Sequence, residues 1–118
     1  MSYLLLIHEP MGQRQTRTEA EGEAVFGRMV EFGEDLKKKG LLLAMESLGA
    51  PEGATRVQVR KGARPLLMDG PFAEAKEFVG GFFLLDCESH EEALAIAATC
   101  PAAEWATVEV RATGPCFA

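Results

Sequence analysis

Three stretches of the chain are apolar at both parities, and they organise everything else. Residues 3–8 place Leu4 and Leu6 on one face of an extended segment and Tyr3, Leu5 and Ile7 on the other. Residues 41–48 and 81–87 repeat the pattern. A strand apolar on both faces belongs inside a sheet that is covered on both sides. Between the first two lies a helical stretch, residues 18–39. Val25, Met29, Phe32 and Leu36 recur there at one helical stripe. Thr18 and Glu21 have capping-box spacing, and Gly40 is a natural stop. Gly22, Gly27 and Gly33 each weaken such a helix by roughly 1 kcal/mol relative to Ala.

The second half follows the same logic. Residues 55–60 alternate, so Val57 and Val59 are expected inward and Arg56, Gln58 and Arg60 outward. Residues 65–68 return as a hairpin partner. Asp69-Gly70-Pro71 then makes a turn in which Asp69 can accept backbone N–H groups, and residues 73–77 are predicted to add about one helical turn. Gly80-Gly81 predicts a bulge or a close approach at the start of the third apolar strand. Ser89 and Glu92 mark a second capped helix carrying Ala93, Leu94, Ala97 and Ala98, which stops at Cys100-Pro101. Residues 104–111 form the last strand.

The order is strand, helix, strand, hairpin, strand, helix, strand. This is an α+β chain with a ferredoxin-like β-α-β repeat and an inserted hairpin, in a single domain over 1–118. Its two helices cover one face of the sheet. The other face stays apolar and uncovered, which predicts a homodimer packed sheet to sheet.

Charge narrows the partners. The chain carries a net −6 with a pI near 4.9, which argues against nucleic acid and against an anionic membrane. The one basic run, Lys37-Lys38-Lys39, sits where a helix C-terminus favours cations. Three cysteines, Cys87, Cys100 and Cys116, have no metal-site or disulfide spacing. The apolar run at residues 3–7 is too short for a signal peptide or a span, so a cytoplasmic location is expected.

No phosphate loop, metal-ligand cluster or nucleophile elbow is visible, and no metal or cofactor is expected. The ionisable groups that strand ends could bring together are His8, Glu46, Asp69 and Lys76. Glu46 stands among apolar neighbours, which means either a functional group or a solvated strand end. Asp69 is likewise either a turn cap or a group facing a cleft. Phe72, Phe82 and Met45 are candidate walls for an apolar pocket.

The run Asp69-Gly70-Pro71-Phe72, with Glu74, Lys76-Glu77 and Gly80-Gly81-Phe82, resembles the YCII-related family in its DGPF-domain branch. The resemblance extends over nearly the whole chain, although Ala75 stands where that family usually has Thr or Ser. It implies a dimeric α+β barrel, in a superfamily that includes muconolactone-isomerase-like enzymes and small monooxygenases. Two functions follow. In one, an acid/base enzyme of isomerase or lyase type acts on a small organic molecule. His8 is then the general acid or base, Asp69 orients it, and Glu46, Lys76, Phe72, Phe82 and Met45 bind the ligand. In the other, the chain is a non-catalytic regulatory module. Relatives in the DGPF branch are often encoded beside extracytoplasmic-function sigma factors, so the resemblance implies a sigma factor as a possible partner.

Overall fold

A computed structural model of the protein describes residues 2–117. It contains strands β1 (Ser2–Pro10), β2 (Leu42–Ser47), β3 (Thr55–Gln58), β4 (Leu66–Asp69), β5 (Glu77–Asp86) and β6 (Thr107–Ala112), with helices α1 (Glu19–Lys38) and α2 (His90–Thr99). Short 3₁₀ turns stand at Arg14–Thr16, Pro51–Gly53 and Pro101–Glu104.

The main sheet has the order β2-β5-β1-β6, with every neighbouring pair antiparallel. Leaving out the β3–β4 hairpin, this is the ferredoxin-like arrangement, with the first and third long strands central. The alternation of β1 decides which residues form the core. Tyr3, Leu5 and Ile7 are buried beneath the helices, while Leu4, Leu6 and His8 on the other face are only half-buried. Phe83 and Leu85 of β5 join the helix side, with Leu36 of α1 and Ala93 and Ala97 of α2 above them. The small alanines of α2 let that helix lie close to the sheet.

Helix α1 starts on the expected capping box. Glu21 N–H donates to Thr18 Oγ1 (3.1 Å), and Thr18 N–H donates to Glu21 Oε1 (2.8 Å). Its second half is pressed onto the sheet at Gly33, where an added methyl would collide with Met45 Sδ. Gly40, at φ 71°, ends it. In the second helix only half of the box forms. Ser89 Oγ accepts from Glu92 N–H, but the Glu92 carboxylate takes the Glu88 N–H instead.

Three expectations are corrected. Residues 73–77 form no helical turn: one Ala75 N–H to Phe72 carbonyl bond closes a bend. Met11 N–H then bonds the Lys76 carbonyl (2.9 Å) and draws the chain into β5. The last strand begins at Thr107, because Pro101 nucleates a 3₁₀ turn over Pro101–Glu104. Val57 and Val59 do not point inward; they are 60% and 51% exposed. The hairpin pairs only with itself and offers them no core, whereas Arg56 turns back onto the Phe72 ring (4.5 Å) and donates to the Gly70 carbonyl (2.9 Å).

Two glycines separate local from packed constraint. A methyl at Gly27 meets nothing, whereas one at Gly81 lies 2.8 Å from the Glu46 carbonyl oxygen, which is backbone and cannot step aside. Gly27→Ala is predicted to stabilise the fold by roughly 0.5–1 kcal/mol. Gly81→Ala is predicted to destabilise it by roughly 1–3 kcal/mol. Urea unfolding at equilibrium measures both, and equal effects of the two would contradict this packing.

Candidate functional site

The inward row of β1 ends in a carboxylate. Positions 3, 5, 7 and 9 share one face, so Glu9 follows Ile7 into the space under the helices and is 7% exposed. A buried carboxylate needs a partner, and the chain supplies one five residues later. The 3₁₀ turn after β1 brings Arg14 back over the sheet. Its Nε donates to Glu9 Oε1 (2.9 Å), its Nη2 to Glu9 Oε2 (2.7 Å) and its Nη1 to the Leu48 carbonyl (3.0 Å). This is the fork-on-fork geometry in which arginine binds a carboxylate most strongly. The bond to Glu9 raises the guanidinium pKa above its ordinary value, so Arg14 is charged at any working pH.

Gly80 makes room for the pair. The β1–β5 ladder slips between Ile7 and His8, pairing Ile7 with Gly81 and His8 with Val79, so Gly80 is the extra residue of a bulge. A side chain there would fall on the Glu9 carboxylate, with Arg14 Nη2 2.9 Å away. The Gly80 carbonyl accepts the Leu48 N–H (2.9 Å), and the Leu48 carbonyl accepts from Arg14. The bulge, the end of β2 and the turn after β1 are thus tied at one point.

Above that point lies a cavity of about 730 Å³ between α1 and the sheet. α1 lines it up to Val30, with Val25, Phe26, Met29 and Val30; the sheet contributes Ile7, Met45 and Phe83; Trp105 stands at one side. Glu9, Arg14, Arg17, Thr18, Glu19 and Ser47 supply its polar groups. The Arg17 guanidinium sits 5.8 Å from the centre of the Trp105 ring and Arg28 sits 5.4 Å from it, Arg28 also gripping Glu104. A mostly apolar chamber of this size with a few fixed polar groups is the usual form of a small-molecule site. Burial pushes the Cys87 and Cys100 thiols up, so neither is an activated nucleophile.

Of the residues singled out in the sequence, Met45 lines this cavity on the helix side; Glu46 and Phe82 border it, but they pair with each other, and Phe82 with Leu6, in the register that points side chains to the open face. Phe72 lines a separate hollow at the base of the hairpin, with Arg56 and Pro71. His8 faces the other side of the sheet, where its Nε2 lies 2.7 Å from Glu109 Oε1. The carboxylate that partners it is therefore Glu109, not Asp69: β6 pairs with β1 and carries Glu109 opposite Leu6, one step along the same face. Asp69 ends the detached hairpin, where its Oδ1 accepts a long bond from Thr55 Oγ1 (3.4 Å). Lys76 is exposed and enters the fold through its backbone carbonyl. Among the described residues no three potential metal ligands cluster, and no helix is long and apolar enough to cross a membrane.

With this geometry in place, the comparisons give it a family. The sequence profile of the YCII-related domain matches residues 1–115, and the chain belongs to that family. Over 97% of its length it superposes on 94% of the 5-chloro-2-hydroxyhydroquinone dehydrochlorinase TftG from Burkholderia phenoliruptrix AC1100, solved in complex with 2,5-dihydroxybenzoquinone. The TM-score is 0.57 and the identity 17%, a likeness of fold. A protein from Rhizobium meliloti (strain 1021) with no described activity is 46% identical over 44 residues. That match spans 37% of this chain and 36% of the relative.

The ion pair yields a stability prediction. Arg14→Met strands a buried carboxylate and is expected to cost roughly 3–5 kcal/mol. Replacing both partners, with Glu9→Leu added, is expected to recover at least half of that loss. Urea denaturation reads both. A single variant within about 0.5 kcal/mol of the parent would mean that water already solvates Glu9.

Proposed function

We propose that this protein binds a small, planar, oxygen-substituted ring compound in the cavity between α1 and the sheet, and carries out acid–base chemistry on it. One observation carries this reading: an apolar chamber of about 730 Å³ that ends in a fixed Glu9–Arg14 pair. The volume suits a single-ring ligand with room to spare. Met29, Met45 and Phe83 offer flat, polarisable contact to a ring. Arg14 spends three of its five N–H groups on Glu9 and Leu48, so two remain for an oxygen of the ligand. Glu9, whose side chain faces the chamber and whose oxygens keep lone pairs beyond the two Arg14 bonds, is the group that takes a ring hydroxyl proton. Arg14 then holds the oxyanion left behind. The dehydrochlorinase of similar fold was solved with a ligand of this kind, which supports the choice of ring.

The same reading includes a homodimer. Leu4, Leu6 and Leu84 are half-buried on the helix-free face, and neither described helix covers them. A second copy packed against that face would remove them from water at about 25 cal/mol per Å² of apolar area.

Trp105 is the only tryptophan and lines the cavity, so binding has a built-in probe. Hydroquinone and 2,5-dihydroxybenzoquinone are the test ligands, followed by Trp105 fluorescence and by calorimetry. At least one is expected to bind saturably at one site per chain. Val25→Phe, which fills the chamber, is expected to weaken binding about tenfold or more. His8→Ala, on the opposite face, is expected to leave it within about twofold. Loss in His8→Ala alone would move the site across the sheet, and saturable binding by neither ring would remove the reading.

A further inference from the structure

The β3–β4 hairpin stands apart from the body. Its strands bond only to each other, and its base is held by the Gly70 N–H to Ala54 carbonyl bond (2.7 Å) and by Arg56 on Phe72. The radius of gyration, 16.2 Å, exceeds the roughly 13.5 Å typical of a compact chain of this length. Val57 and Leu67 lie directly opposite each other and are 60% and 64% exposed; Val59 and Leu66 are exposed too. An isolated two-stranded hairpin is marginal in water and needs a surface to lie on. The exposed apolar residues mark where that surface belongs.

Charge says what kind of surface. Residues 55–69 hold Arg56, Arg60, Lys61 and Arg64 against the one acid Asp69, a net +3 in a chain of net −6. The remainder of the chain therefore carries −9. We propose that the hairpin is an arm that lies on the acidic body of a second copy of this chain, each protomer giving one arm and receiving one. This rests on the homodimer reading above and goes beyond it, because a sheet-to-sheet contact alone leaves the hairpin bare. A second copy fits for two reasons. It supplies the opposite charge, and a two-fold axis lets the same basic arm and acidic body satisfy each other twice.

The test uses the full chain with Cys116→Ser and a benzophenone attached at Val59→Cys, mixed as ¹⁴N and ¹⁵N protein and irradiated. Cross-links of hybrid isotopic mass from position 59 to residues outside 55–69 are expected. In sedimentation equilibrium, the triple reversal Arg60→Glu, Lys61→Glu and Arg64→Glu is expected to raise the dimer Kd about tenfold or more and to flatten its salt dependence. Cross-links only within one chain, cross-links only to a foreign protein, or a triple-variant Kd within twofold of the parent would overturn the proposal. Leu6→Glu on the open sheet face separates the two ideas. If it gives monomers while the triple variant stays dimeric, the face is the contact and the arm is not. If it stays dimeric and keeps the hybrid cross-links, the arm stands and the face fails. A monomeric parent chain ends both.

Discussion

Glu9 and Arg14 meet over a residue with no side chain, and the geometry of the site follows from that contact. A carboxylate with 7% exposure is tolerable only when its oxygens are bonded, and Arg14 bonds both. The pair fits only because the β1–β5 ladder bulges at Gly80 and leaves no Cβ beneath it. The bulge in turn frees the Gly80 carbonyl to hold Leu48, whose own carbonyl takes the third Arg14 bond. A bulge, a strand end and a turn distant in sequence are locked together by four hydrogen bonds.

Helix α1 adds the second constraint, because its two parts do different work. Near Gly33 and Leu36 it is pressed on the sheet and belongs to the core. Up to Val30 it presents Val25, Phe26, Met29 and Val30 to a cavity instead. Phe26 is 54% exposed at the edge of that space. The stability of the chain is therefore concentrated at one end of the sheet, and the ligand-sized opening lies at the end held by the ion pair.

Much of the fold was legible in the chain. The parity of β1, the capping box at Thr18, the stop at Gly40 and the double glycine each act locally, so sequence spacing reveals them. The candidate site was legible only in part. Met45 was picked out, with Glu46 and Phe82 at its border, but the charged pair at its centre was missed. The parity that put Tyr3, Leu5 and Ile7 inside also put Glu9 there, and a carboxylate at the end of an inward row was the available signal. Sequence groups His8 with Asp69 because both stand at strand ends that could meet at one rim, yet which strand lies beside β1 is a long-range fact. That strand is β6, which supplies Glu109. Val57 and Val59 alternate as a buried strand would, but alternation alone cannot tell a core-facing row from one that no core reaches.

The two faces of the sheet thus differ: the helix side carries the Glu9–Arg14 chamber, and the open side carries Leu4, Leu6 and Leu84, half-buried, with the His8–Glu109 pair. The most direct test of that division is a nitrogen–proton NMR titration with 2,5-dihydroxybenzoquinone, following side-chain signals by residue. The account predicts that the Arg14 Nε–H and the Trp105 indole N–H shift together and saturably, while the His8 imidazole stays still. Shifts confined to His8 and its neighbours on the open face, with Arg14 and Trp105 unmoved, would contradict it.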